Sequence, residues 1–173
     1  MSPPDELYTR RNSIRLNGFD YSVKRANFIT IVTHGRKKFF NDQRVAESTV
    51  ATLLELRGEL KFNLYSYCLM PDHIHLLIGP DESGLTIGRI CGHFKSLSTR
   101  LFWKSGTGKL WQRQFFDHVI RNEADFWECV DYIRLNPIVA GLISVSKDWE
   151  FFGEPDLKKL YGQVLYLPVH NWS

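Results

Sequence analysis

Met70-Pro71-Asp72-His73-Ile74-His75-Leu76-Leu77-Ile78 is the stretch from which the fold can be read. Pro71 presets φ for a bend, so Pro71-Asp72 reads as a turn. Upstream, Lys61 to Met70 carries Phe62, Leu64, Tyr65, Tyr67 and Leu69 and reads as a strand; His73 to Ile78 reads as the next one, hairpin-paired to it. Side chains alternate between the faces of a strand, so Ile74, Leu76 and Ile78 point one way and His73 and His75 the other. Two imidazoles on one face are the usual opening of a metal site, although a His-x-His pair also arises by chance.

Outward from this hairpin the periods change. Asn27 to Thr33 is rich in β-branched residues and reads as a strand. From about Asp42 to Leu56 the apolar spacing is helical, with Asn41 as the expected N-cap. Downstream, Ile87, Ile90, Cys91, Phe94, Leu97, Leu101 and Phe102 make the strongest helical pattern, from Thr86 to about Lys104. A strand is expected at Asp117–Ile120. Asn122 then caps a helix from Glu123 to about Asn136, which Asn136-Pro137 should end or bend. A last short helix is expected at Glu154–Tyr161. The order β-α-β-β-α-β-α is that of an α+β, ferredoxin-like antiparallel sheet with helices on one face and an added C-terminal helix. The other face is left for a ligand.

With 173 residues and 20.2 kDa the chain suits one domain. At 43% apolar and 24% charged residues, disorder, a coiled coil and a collagen-like repeat are excluded. No apolar run approaches the roughly 18 residues of a membrane span, and Met1-Ser2-Pro3-Pro4-Asp5-Glu6 lacks the apolar core of a secretory signal. Cys68, Cys91 and Cys129 are odd in number and without Cys-x-x-Cys spacing, which suits a reducing cytoplasm rather than a disulfide framework. The net charge is only +3, but it is segregated. Residues 1–40 carry eight Lys/Arg against three acids, and residues 89–121 carry seven against Asp117 alone. If those segments meet, they form one basic surface attractive to phosphates. Twenty-four aromatics make up 14% of the chain; Trp103, Trp111 and Trp127 are expected in the core.

The last long helix offers partners for the histidines, because i, i+4 spacing aligns Glu128, Tyr132 and Asn136. A tyrosine beside two histidines and a cation could attack a phosphate that the cation polarises. Here the residues carry a resemblance. The His73-Ile74-His75 stretch resembles the His-hydrophobe-His (HUH) motif of the single-tyrosine transposases of the IS200-like family. Trp111 to Arg121 and Asp131 to Leu142 resemble that family's two later motifs. Arg11-Asn12-Ser13-Ile14-Arg15-Leu16, Tyr21 and Phe28 to Arg36 are most similar to the branch associated with repetitive extragenic palindromes (REP) in bacterial chromosomes. The resemblance spans about residues 10–143.

That resemblance implies a metal-dependent endonuclease and strand transferase that cuts and joins single-stranded DNA beside a hairpin, through a 5′-phosphotyrosine. It implies His73, His75 and Asn136 as metal ligands, Tyr132 as nucleophile and Mg²⁺ or Mn²⁺ as cofactor, since an amide oxygen suits hard cations. Arg11, Arg15, Arg36, Arg100, Arg113 and Arg121 are the expected DNA contacts. Residues 1–145 are expected to form the transposase domain, with a basic N-terminal arm, and 146–173 a tail. Insertion-sequence relatives are dimers and palindrome-associated ones resemble monomers, so monomer and homodimer both stay open.

Rival readings fit less well. A His-hydrophobe-His-hydrophobe-His hydrolase lacks its third histidine, because Leu77 stands there. A metallo-β-lactamase-like site lacks the Asp-His pair, and a zinc finger lacks cysteines beside the histidines. The alternative from another class is a non-catalytic module that binds single strands on a ferredoxin-like sheet through exposed aromatics. It would need neither a divalent ion nor Tyr132.

Overall fold

The computed structural model describes residues 26–79, 84–144 and 148–160. The basic arm, with Arg11 and Arg15, lies outside the described residues, as does Tyr21. Five strands form one sheet: β1 (Asn27–Val32), β2 (Asn63–Met70), β3 (His73–Gly79), β4 (Phe116–Val119) and β5 (Phe152–Gly153). Their order is β4-β1-β3-β2-β5 and every pairing is antiparallel. The three helices are α1 (Gln43–Leu60), α2 (Ile87–Phe102) and α3 (Glu123–Val139). The expected β2–β3 hairpin is present, with Met70 paired to His73 across Pro71-Asp72. This is the ferredoxin-like arrangement, extended at one edge by β5.

Both faces of the sheet are covered. Ile29, Ile31, Ile74, Leu76 and Ile78 meet Leu53 and Leu56 of α1 and Ile90 and Phe94 of α2 in one core. On the opposite face Tyr65, Cys68, Met70 and Leu77 meet Phe126, Val130 and Ile133 of α3. Those three α3 side chains are fully buried, each worth roughly 1.5–3 kcal/mol of apolar transfer. The face expected to lie open is therefore partly roofed by α3. β2 serves both cores by alternation, and its register shifts between Leu64 and Ser66. Such a bulge moves every later side chain to the other face, so Leu64 shares a side with Tyr67 and Leu69.

Two helix boundaries differ from expectation for local reasons. Asp42 rather than Asn41 caps α1, its side chain accepting from the Arg44 N–H at 3.0 Å. Asn122 caps α3 as expected, accepting from the Asp125 N–H. However, α3 runs through Pro137 to Val139. Pro137 removes one donor in the last turn, and the helix is closed only at Gly141, whose φ of +70° suits glycine. There the Gly141 N–H reaches Ile138 O and the Leu142 N–H reaches Pro137 O. The short helix expected at 154–161 is a single 3-10 turn, Leu157–Leu160.

The C-terminal segment is bonded to the body. Asp156, with no solvent exposure, accepts from Arg57 Nε and Nη2, from Lys159 and from the Leu64 N–H at 2.8 Å. Arg134 of α3 holds Glu154 at 2.8 Å. Burial pushes the Glu154 carboxyl upward, and Arg134 opposes that shift.

Candidate active site

β3 lies at the centre of the sheet, bonded to β1 on one side and β2 on the other. Its alternation sends His73 and His75 to the α3 face. The Pro71-Asp72 turn that precedes them is tied down: Asp72 O accepts from the Thr33 N–H and hydroxyl, and Pro71 O from the Phe40 N–H. The histidines therefore stand on rigid backbone.

Each imidazole is held at Nδ1. His73 Nδ1 lies 2.6 Å from Asp72 Oδ1, and His75 Nδ1 lies 2.9 Å from Thr30 Oγ1, the residue opposite it on β1. A carboxylate on Nδ1 fixes the tautomer that leaves the Nε2 lone pair free. The two Nε2 atoms converge to 3.0 Å. Two cis ligands of one octahedral ion, with bonds of about 2.1 Å, stand about 3.0 Å apart. That spacing fits a divalent cation held between the two nitrogens. His75 is only 4% exposed, and burial, then the neighbouring His73, push its pKa well below the usual imidazole value. Neutral imidazole is the form that ligates.

Tyr132 of α3 comes to the same place. Its ring meets His75 edge-on at 5.2 Å and Phe28 at 5.6 Å, while Phe28 stacks on His75 at 5.4 Å. Asn136 stands one turn further on the same helix face, partly exposed. His73, His75 and Tyr132 thus come together within one chain.

The arginines divide. Arg36 is exposed beside Asp72, at 3.7 Å, and so at the margin of the histidine pair. Arg100 and Arg113 share an open groove of about 480 Å³ with Lys95, Lys109 and Trp103. Arg121 is exposed at the β4–α3 junction. Lys95 spends its ammonium on the carbonyls of Gln112 and Arg113. Trp111 is buried as expected, but Trp103 is 56% exposed on this groove, its Nε1 donating to Gly108 O. Sequence reading missed Trp103, Lys109, Asp72 and Thr30. Asp72 adjoins His73 and was readable; Thr30 needed the β1–β3 register.

The sequence pattern of the family described as "Transposase IS200 like" matches residues 24–136. The chain belongs to the IS200-like transposase family. A Haemophilus influenzae protein assigned to the REP-associated tyrosine transposases is 29% identical over 143 residues, covering 76% of this chain and 81% of that protein. The Escherichia coli K12 REP-associated tyrosine transposase is 24% identical over 99 residues, 57% of this chain and 58% of that protein. A solved structure of a REP-associated tyrosine transposase bound to a REP hairpin shares the fold, at a TM-score of 0.64 and 20% identity over 96% of both chains. This IS200-like chain thus resembles the REP-associated branch over most of its length. No helix among the described residues is long and apolar enough to cross a membrane.

Proposed function

We propose that this transposase nicks and joins single-stranded DNA beside a hairpin, with Tyr132 as nucleophile and Mg²⁺ or Mn²⁺ held by His73, His75 and Asn136. The observation that supports it most is the convergence of the His73 and His75 Nε2 atoms, the former oriented by the Asp72 carboxylate, with the Tyr132 ring against His75. A bound divalent ion supplies Lewis-acid polarisation of the scissile phosphate. The Tyr132 oxygen forms a bond to phosphorus, the bond to the 3′ oxygen breaks, and the phenolic proton is lost as that oxygen becomes a hydroxyl. The resulting 5′-phosphotyrosine conserves the bond for rejoining. A neutral phenol is a weak nucleophile, so its attack depends on such polarisation. Thr30 and Asp72 orient the imidazoles.

Because one chain brings its own Tyr132 to its own histidines, a monomer with a self-contained site is the proposed working unit. Arg36, Arg100, Arg113 and Arg121 are the proposed phosphate contacts, with Arg11 and Arg15 of the N-terminal arm. Trp103 is a stacking surface beside Arg100 and Arg113, the combination single strands favour. Residues 1–145 are the proposed catalytic domain and 146–173 its C-terminal extension, working in the cytoplasm.

The test incubates the protein with a hairpin-bearing single strand and Mg²⁺ and maps any covalent adduct by mass spectrometry. An adduct on Tyr132 that requires the divalent ion supports the reading. Tight hairpin binding without an adduct under any divalent ion would favour the non-catalytic binding module.

A further inference from the structure

A second cluster lies on the α3 face of the sheet, outside the histidine pair. Asp117 of β4 accepts from Asn27 Nδ2, while the next residue, His118, reaches α3. His118 Nε2 lies 2.9 and 3.1 Å from the two Asp125 oxygens, and Cys129 follows one helical turn after Asp125. The nitrogen, oxygen and sulfur donors of these three residues all lie within 4.8 Å of one another, and all three are partly exposed. We propose that His118, Asp125 and Cys129 form a second metal site, selective for a borderline-soft ion such as Zn²⁺, that pins the N-terminal half of α3 to β4.

The donor set carries the choice of ion. Thiolate and imidazole favour Zn²⁺ over Mg²⁺, and three protein ligands leave one tetrahedral position for water. Asp125 is preoriented, since its Oδ2 also accepts the Arg121 N–H at 2.8 Å. A ligand contributed by β4 and two by α3 make the ion a crosslink that adds to the His118–Asp125 contact between these elements. Burial, then Asp125 and Glu128, push the Cys129 thiol up to about 12, so binding releases its proton to solvent. The site is distinct from the proposed catalytic ligands: His118 lies opposite Phe28 on β1, whereas His75 lies opposite Thr30.

Co²⁺ titration of the reduced full-length protein tests this, with Zn²⁺ competition for affinity. One equivalent should give a thiolate-to-Co²⁺ charge-transfer band, displaced by Zn²⁺. Cys129→Ser should abolish the band and weaken Zn²⁺ binding on the order of 100-fold or more, with unchanged circular dichroism. The His73→Ala/His75→Ala variant should keep the band, and His118→Gln should lose or shift it. A wild-type protein with no band would overturn the proposal. So would a band that survives Cys129→Ser, since the thiolate would then belong to Cys68 or Cys91.

Discussion

His75 and His73 look equivalent in the sequence, and the packing makes them unequal. A half-exposed sheet face would let either be truncated without harm to the fold. His75 is instead 4% exposed, stacked on Phe28 and met edge-on by Tyr132. Beyond the His73–His75 contact that either variant loses, replacing it by Ala forfeits the ring contacts with Phe28 and Tyr132, each worth roughly 0.5–1.5 kcal/mol. It also strands the Thr30 hydroxyl, at roughly 1 kcal/mol or more. The sum is about 2–4 kcal/mol, or a drop in Tm of about 5–15 °C for a chain this size. His73→Ala loses one ring contact and the Asp72 bond, but the 21% exposed Asp72 carboxylate can rehydrate beside Arg36, so about 1 kcal/mol is expected. Urea melts in chelator give the stabilities, and hairpin cleavage with Mg²⁺ or Mn²⁺ gives the activities. Both variants should be inactive, but only His75→Ala should be markedly less stable. Equal stabilities would refute the packing argument, and normal cutting by either variant would remove it from the proposed ligand set.

Tyr132→Phe should bind hairpin and metal normally yet form no adduct; an adduct mapped to Tyr65 or Tyr67 would overturn the nucleophile assignment. Replacing Arg100 and Arg113 together by Gln should flatten the log–log salt dependence of single-strand binding by about 1.4, because each phosphate contact on a single strand contributes a slope of roughly 0.7. Trp103→Ala should weaken single-strand binding by about 1–3 kcal/mol if a base stacks there, and leave it unchanged if none does. Burial pushes the Asp156 carboxyl up, but bonds from Arg57, Lys159 and the Leu64 N–H outweigh it and bring the pKa down to about 2. A depressed carboxylate stabilises the fold above its unfolded pKa and loses that contribution as pH falls from about 4 to 2, here about 2 kcal/mol. Asp156→Asn should erase that acid-dependent component in denaturation melts, and an unchanged pH profile would refute it.

The hairpin and the two sides of β3 were legible because Pro71-Asp72 and strict alternation are local signals. The i, i+4 alignment of Tyr132 with Asn136 was legible for the same reason. What escaped depends on register or on distant partners. Thr30 meets His75 only once β1 lies beside β3, and the Leu64/Ser66 bulge leaves no mark in the hydrophobic pattern. The roof over the second face came from Phe126, Val130 and Ile133, whose spacing predicts a buried stripe but not which surface it meets. Pro137 was given too much weight as a stop, because a proline so near a helix end removes only one bond. Trp103 fell on the wrong side of a statistical preference, since its position after α2 turns it outward.

The central place of β3 sets how the proposed ligands behave in time. A strand bonded along both edges can open only when the whole sheet opens, so the His73 and His75 amides should be among the last to exchange with deuterium. Tyr132 rides on a helix seated by side-chain packing and a few polar ties, and it can loosen at lower cost. The imidazoles thus keep their spacing through every excursion short of global unfolding, and the entropy of positioning them is paid once, at folding. Any variation in the site on the timescale of a catalytic cycle would arise on the tyrosine's side.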